Sequence, residues 1–466
     1  MSATELGIFL DDLRARRVDK AQAAAFFAAC PEADKPAVLD AMRSMLAADR
    51  ADSSTPTPPL GAPPRMRGVR TNLTCTAEQR AFIGSFVAGF EAKTRTSKRL
   101  AAAHRRELAD QRTPANFNML LKELQYPITL KRAFGAYVQD IDGNQYIDIS
   151  GDFGVNLFGH APAFLTEALK TQIDAGIALS GRYPETGEAA QIFCEITGHD
   201  RVAFCQSGTE AVMSAVRLAR AWTDRQKLVV FNNAYHGHAD PFLNIHTAGV
   251  SEAAAGEVLS LAYDDEAALA RIDELGRELA AVLVEPVQSE QLELQPVEFL
   301  RRLREITARH GVVLIFDEMI TGFRAHLRGC QGLFGVQADL ATYGKIIGGG
   351  VTAGAVAGRA AIMDWCDGGD WNYGDASKPG PTTYIAGTHT QNPLRIAATR
   401  AVLRELKARS PDLQADLTRR TAGLTARLNE FLRARRAPME VVTFASQFRF
   451  RFQTRAFTLT QALFLH

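Results

Sequence analysis

Apolar residues along this chain change their period several times, and each change marks a boundary. Near the start, Leu6, Phe9, Leu10 and Leu13 fall at i, i+3, i+4 and i+7, the spacing of one helical face. Asp19 stands where it caps an alanine-rich second helix with Phe26 and Phe27. Asp34 and Pro36 open a third, with Val38, Leu39, Met42 and Leu46 on one side. Three short helices bury little by themselves, so a packing partner or dimerisation is expected for residues 1–50. Prolines cluster from 51 to 68 and favour an extended linker, reaching to residue 75. Helical spacing returns at Phe82, Ile83, Phe86 and Phe90. The period then becomes two. Strands are predicted over Pro127–Ala133 and Ala136–Ile149, around Asp142-Gly143-Asn144, a strong hairpin signal.

From 200 to 350 short apolar runs alternate with helical stretches. Arg201–Cys205, Lys227–Phe231, Ala280–Val284 and Val312–Phe316 read as strands. Val212, Ala215, Val216 and Ala219 share one helix face, and Val297–Arg309 forms another helix. That alternation predicts an α/β fold with a mostly parallel sheet and right-handed crossovers. The β-branched run Val312–Phe316 has no polar alternation, as expected of a central strand covered on both faces. Val351–Gly358 reads as a further strand, and residues 394–436 are helical and basic. Near the end Phe448, Phe450 and Phe452 alternate with Arg449 and Arg451, a half-buried strand.

Composition narrows the possibilities without choosing among them. The 466 residues suffice for more than one domain, and 53 basic against 52 acidic side chains leave no field for nucleic acid or a membrane. The basic run through Lys93, Arg95, Lys98, Arg99, Arg105 and Arg106 reads as a solvated helix face, with phosphate or carrier-protein contact as the alternative. Six cysteines at 30, 75, 194, 205, 330 and 366 lack a C-x-x-C pair. That argues against zinc or a disulfide framework and fits a reducing cytoplasm. No secretory signal or membrane-length apolar run is visible. His236 and His238 have no evident third metal ligand.

Candidate chemistry sits where the strands end. Asp317-Glu318 follows the central strand, the position at which open α/β sheets bind ligands. Lys345 lies between Gly344 and Gly348-Gly349-Gly350, and a desolvated lysine is a nucleophile toward carbonyls. An acid and an amine in this order suit pyridoxal 5'-phosphate (PLP): one to hold the pyridine nitrogen, one to form the Schiff base. Arg201–Cys205 runs through Ser207-Gly208-Thr209 into a helix, and unpaired N–H groups with the helix dipole favour phosphate there.

Together with Tyr235-His236-Gly237, Glu285-Pro286 and Gly387-Thr388 ahead of Asn392-Pro393, these words resemble the class III aminotransferases, in their glutamate-1-semialdehyde aminomutase-like branch. The segment after Glu285-Pro286, S-E-Q-L-E-L-Q-P, is more similar to aminotransferase domains of polyketide and nonribosomal peptide synthases. The resemblance spans roughly 97–455. It implies fold type I with a small α+β domain and an N-terminal helical appendage. The expected division is 76–150 and 396–466 for the small domain and 151–395 for the PLP-binding domain.

For the site, the resemblance implies Lys345 as catalytic residue and cofactor contacts from Ser207, Gly208, Thr209, Tyr235, His236, Glu285, Asp317 and Met319, with Tyr235 and Met319 sandwiching the ring. Thr388 would reach the phosphate of a neighbouring subunit, making a homodimer with shared sites. Phe153, Asn156 and Gln288 are substrate candidates. Such an enzyme takes an amino acid donor and a keto or aldehyde acceptor. Three functions remain open. One is amination of a carrier-bound β-ketoacyl or aldehyde intermediate, with residues 1–50 docking an acyl carrier protein or synthase module. Another is a 2,1-aminomutase, and the third a catalytically silent scaffold. Members of the family continue several tens of residues past the equivalent of His466, so a differently closed or truncated small domain is expected.

Overall fold

The chain divides into two compact units, Met1–Gly68 and Val69–His466. A computed structural model describes residues 30–31, 35, 75–110, 119–178, 181–243, 247 and 249–453. The three helices expected within residues 1–50, the expected proline-rich linker and the chain end therefore lie almost wholly outside the described residues.

The second unit opens with helices α1 (Ala77–Lys93) and α2 (Arg95–Ala103). Thr76 starts α1 through a reciprocal cap. Its hydroxyl accepts the Gln79 amide at 3.2 Å, and the Gln79 side chain accepts the Thr76 amide at 2.9 Å. The apolar stripe read from the sequence is only partly buried. Ile83 packs with Phe86, Val87 and Phe90 on Leu121 and Leu124, whereas Phe82, at the edge of that face, is 60 % exposed.

An antiparallel meander follows: β1 (Leu130–Phe134), β2 (Tyr137–Asp140) and β3 (Gln145–Ile147). The Asp142-Gly143-Asn144 turn joins β2 to β3, with Gly143 at φ +93°. Two strands were expected and three form, because the turn falls inside the longer run. The Asp142 carboxylate also accepts the amides of Thr96 and Ser97 at 2.7 and 3.1 Å, which covers otherwise unpaired donors at the start of α2.

The remaining elements in chain order are α3 (Ala163–Ala175), α4 (Thr186–Thr197), β4 (Arg201–Cys205), α5 (Gly208–Thr223), β5 (Lys227–Phe231), β6 (Val258–Leu261), α6 (Glu266–Leu275), β7 (Leu279–Val284), α7 (Val297–His310), β8 (Val313–Asp317), β9 (Leu340–Gly344) and β10 (Gly354–Gly358). Helices α8 (Pro393–Arg409) and α9 (Asp412–Ala434) then lead to the hairpin β11 (Met439–Phe444) and β12 (Gln447–Phe452). The stretch 394–436, expected to be helical and basic, forms two helices separated at Ser410-Pro411, where proline has no N–H to continue the ladder.

Seven strands make one sheet in the order β4-β10-β9-β8-β7-β5-β6. All run parallel except β10, which is antiparallel to both β4 and β9. The central strands alternate between two cores. Val282, Leu314 and Phe316 join the cluster under α4, α6, α7 and α8, whereas Ala281, Leu283, Val313 and Ile315 join the one under α5. A period-two backbone with both faces covered needs apolar residues everywhere, hence the unbroken runs in the sequence. In β12 the arginines turn toward the segment after β7, Arg449 pairing with Glu290 and Arg451 with Glu293, and Arg451 also pairs across the hairpin with Glu440 of β11.

Leu283 is fully buried in β7. Leu283→Ala is expected to lower unfolding stability by about 2–5 kcal/mol, measured by denaturant titration. A loss below about 1 kcal/mol would mean that the sheet is not packed on both faces as described.

Candidate active site

Because β4, β5, β7, β8 and β9 run in one direction, their carboxyl ends open on the same side of the sheet. Each supplies part of one cavity of about 200 Å³. β9 leads into Lys345, β8 ends at Asp317, β7 precedes Glu285, β5 precedes Tyr235 and His236, and β4 precedes Ser207, Gly208 and Thr209. Met319 closes the same space. Nine residues read from the sequence thus come together, joined by Val212, Gly237 and Ile320.

Asp317 is 3 % exposed and takes three hydrogen bonds. His236 Nδ1–H donates to Oδ2 at 2.7 Å, while the Thr342 hydroxyl and the Met319 amide donate to Oδ1 at 3.1 and 3.2 Å. Thr342 was not foreseen. Its role follows from the β8–β9 register, which places it beside Asp317, a pairing that residue spacing along one strand does not encode. Among the described residues, His236 Nε2 is buried with no hydrogen-bond partner.

Lys345 adopts φ +46°, a left-handed conformation that costs a non-glycine residue on the order of 1–3 kcal/mol. Gly344 before it lies so close to Met319 that an added Cβ would stand 2.2 Å from Sδ. At Gly208, across the cavity, the distance would be 2.8 Å. Burial lowers the Lys345 amine below the usual lysine range, and Asp317 and Glu285 only partly oppose it.

At the end of β4, Ser207 caps the sixteen-residue α5 by accepting the Glu210 amide at 3.3 Å. The Glu210 carboxylate accepts the Gln206 amide at 2.7 Å. The first turn of α5 presents its free N–H groups to the cavity beside the Thr209 hydroxyl. Thr209 is steadied by His238, whose amide donates to Oγ1 at 3.4 Å.

The other predicted residues lie elsewhere. Thr388 is exposed in the loop before α8, outside the lining of this cavity. Gln288 is 1 % exposed, and its amide donates to the Asn232 carbonyl at 2.9 Å, so it supports the loop carrying Tyr235. Phe153 is 67 % exposed, and the Asn156 amide donates to His160 Nδ1 at 3.3 Å. Glu318, the second member of the acid pair, points away from the cavity. Its carboxylate accepts the Thr321 hydroxyl and the amides of Cys330 and Gln331, both at 3.0 Å.

A model of the aminotransferase class-III family matches residues 121–443. The chain belongs to this family. Its relatives include the glutamate-1-semialdehyde 2,1-aminomutase of Nitratidesulfovibrio vulgaris strain Miyazaki F, 37% identical over 336 residues, which are 69% of this chain and 76% of the relative. Similar solved structures include an omega-transaminase from Sphaerobacter thermophilus, with TM-score 0.69, 32% identity and coverage of 77% of this chain and 83% of that one. Another is a β-phenylalanine aminotransferase from Variovorax paradoxus, with TM-score 0.69, 30% identity and coverage of 81% and 83%.

Class III aminotransferases are PLP-dependent enzymes, and the seven-stranded, mostly parallel sheet is that of fold type I. The residues fit the cofactor. A helix N-terminus at the cavity would receive a phosphate, Gly208 and Gly344 leave room for Met319 where a Cβ would collide, and an acid and an amine occupy the same cavity.

Glu285 faces this cavity, accepting the Ser289 amide at 3.0 Å, and burial together with nearby Asp317 pushes its carboxyl up to about 7. The folded state therefore keeps a proton that the unfolded chain has lost. The associated stability is present below the ordinary glutamate value and is lost as pH rises through about 7. Glu285→Gln should gain on the parent between pH 5 and 8, by at most about 2–3 kcal/mol, in denaturant titrations of the cofactor-free protein. A stability difference independent of pH would contradict this assignment.

Proposed function

We infer that this chain transfers an amino group from an amino acid donor to the carbonyl of a separate keto or aldehyde acceptor. The observation that carries this reading is the lowered Lys345 amine facing Asp317 in one cavity beside the α5 N-terminus. Bound there, PLP supplies an electron sink conjugated to the substrate α-carbon. The remaining work falls to the chain. Asp317, fixed by His236 and Thr342, would accept the pyridine N–H of the bound cofactor. The Ser207-Gly208-Thr209 turn would hold the phosphate, and Tyr235 and Met319 would bracket the ring and exclude water. The Lys345 amine, its proton affinity lowered by burial, would be the base that moves a proton from the substrate α-carbon.

In this reading residues 151–395 form the cofactor domain, while 76–150 and 396–466 form the small one. Thr388, exposed and off its own cavity, serves the site of a second copy in a homodimer. The proposed acceptor is a β-ketoacyl or related intermediate carried by an acyl carrier protein. It is supported by the S-E-Q-L-E-L-Q-P segment and by the likeness to an aminotransferase named for a β-amino acid. A 2,1-aminomutase is the second reading, favoured by the relatives at 37% identity.

The two differ in what leaves the donor. Incubation of the PLP-loaded protein with L-glutamate and a β-keto thioester should release 2-oxoglutarate in step with acceptor amination. Conversion of glutamate-1-semialdehyde without 2-oxoglutarate release would favour the aminomutase instead. Lys345→Ala should lower either rate by about 10²–10⁴-fold and abolish the visible absorbance of the bound cofactor. A variant that kept both would remove Lys345 from the mechanism.

A further inference from the structure

Residues 151–154 form a left-handed turn. Gly151, Asp152, Phe153 and Gly154 have φ of +54°, +52°, +56° and +86° in succession. L-residues visit this conformation singly, so the consecutive pair Asp152-Phe153 between two glycines needs outside support. The support comes at both ends. At the start, Asp148 Oδ1 accepts the Ser150 amide at 3.1 Å and the Gly151 amide at 2.9 Å, while Oδ2 accepts His160 Nε2–H at 2.7 Å. At the far end, Arg324 Nη2–H donates to the Gly154 carbonyl.

Arg324 is only 8 % exposed, and its other bonds reach two further parts of the molecule. Nε–H donates to the carbonyl of Ile320, a cavity-lining residue, at 3.3 Å. Nη1–H donates to the Ser446 hydroxyl, in the turn between β11 and β12, also at 3.3 Å. Among the described residues no carboxylate pairs with it. A buried guanidinium satisfied by a hydroxyl and main-chain carbonyls is an expensive way to gain stability. What its planar fork supplies is fixed direction toward three acceptors at once. The supported turn packs against Lys345–Gly348, and a Cβ built at Gly350 would lie 3.9 Å from Asn156 Oδ1.

We propose that Arg324 is a positioning residue that, with Asp148, clamps the left-handed turn 151–154 to the cavity wall and so sets the placement of Phe153 and Asn156 toward the acceptor. The C-terminal hairpin is tied into the same arrangement through Ser446. Burial lowers the Lys345 amine, and the Arg324 charge acts in the same direction, so the clamp also stands within electrostatic reach of the lysine. The inference rests on the amino-transfer reading for its kinetic consequence but not for its structural one.

The test compares the full-length parent with Arg324→Lys, Arg324→Met and Ser446→Ala. First, amide hydrogen exchange over 151–156 is followed in the cofactor-free protein. Arg324→Met should accelerate it at least tenfold relative to the core strands, Arg324→Lys should do so as well because one ammonium cannot span three acceptors, and Ser446→Ala should do so less. Second, with PLP, L-glutamate and the N-acetylcysteamine thioester of 3-oxobutanoate, the acceptor KM of Arg324→Lys should rise about tenfold while kcat falls less than threefold. Unchanged exchange over 151–156 in Arg324→Lys overturns the clamp. Accelerated exchange with an unchanged acceptor KM overturns the link to the acceptor. If Arg324→Met fails to fold, Arg324→Lys decides by the same two readings. A parent that releases no 2-oxoglutarate counts against the amino-transfer reading alone, since the exchange result stands without it.

Discussion

Asp317 lies 3 % exposed at the end of a strand whose every residue is buried. A carboxyl group at such a depth must find hydrogen-bond partners within the protein, or its desolvation would cost several kcal/mol. Its partners arrive from three places: His236 from the loop after β5, Thr342 from the neighbouring strand, and the amide of Met319 just beyond it. Meeting that one demand fixes much else. The β8–β9 register must bring Thr342 alongside, which places Lys345 one step past the end of β9. His236 must turn inward, and this leaves its neighbour Tyr235 at the cavity.

Two other buried acids show how position divides similar chemistry into different tasks. Glu285 and Glu318 are both pushed up to about 7, chiefly by burial. Glu318 accepts the amides of Cys330 and Gln331 and so organises the chain on the far side of β8. Glu285 borders the cavity and accepts the Ser289 amide. The adjacent residues Asp317 and Glu318 thus serve opposite sides of one strand end, as the period of a β-strand requires.

The fold was legible wherever burial on both faces left uninterrupted apolar runs, as in Ala280–Val284 and Val312–Phe316. Motifs at strand ends were legible for a similar reason: Gly208-Thr209, Asp317 and Lys345 stand at positions that a parallel sheet brings together. Contacts across strands and between distant loops were not. Thr342 acts through register, Ile320 through the turn after β8, and Arg324 through a bond to a carbonyl 170 residues away. None has a periodic signature. The helical stripe at Phe82 misled because the surface beneath α1 is small, and only part of the apolar face finds a partner there.

The reversed strand β10 lies between β4 and β9, so the phosphate turn and the lysine hang from strands two places apart in the sheet. Two inter-strand steps amount to about 10 Å, a length fixed by the main-chain ladder rather than by any side chain. The sheet is therefore a ruler whose graduations are hydrogen bonds. The loop that carries Tyr235 and His236 completes the cavity, and Arg324 holds the turn 151–154, but neither loop sets that spacing. The distance across the cavity is thus set by the main chain, and the loops only furnish its walls.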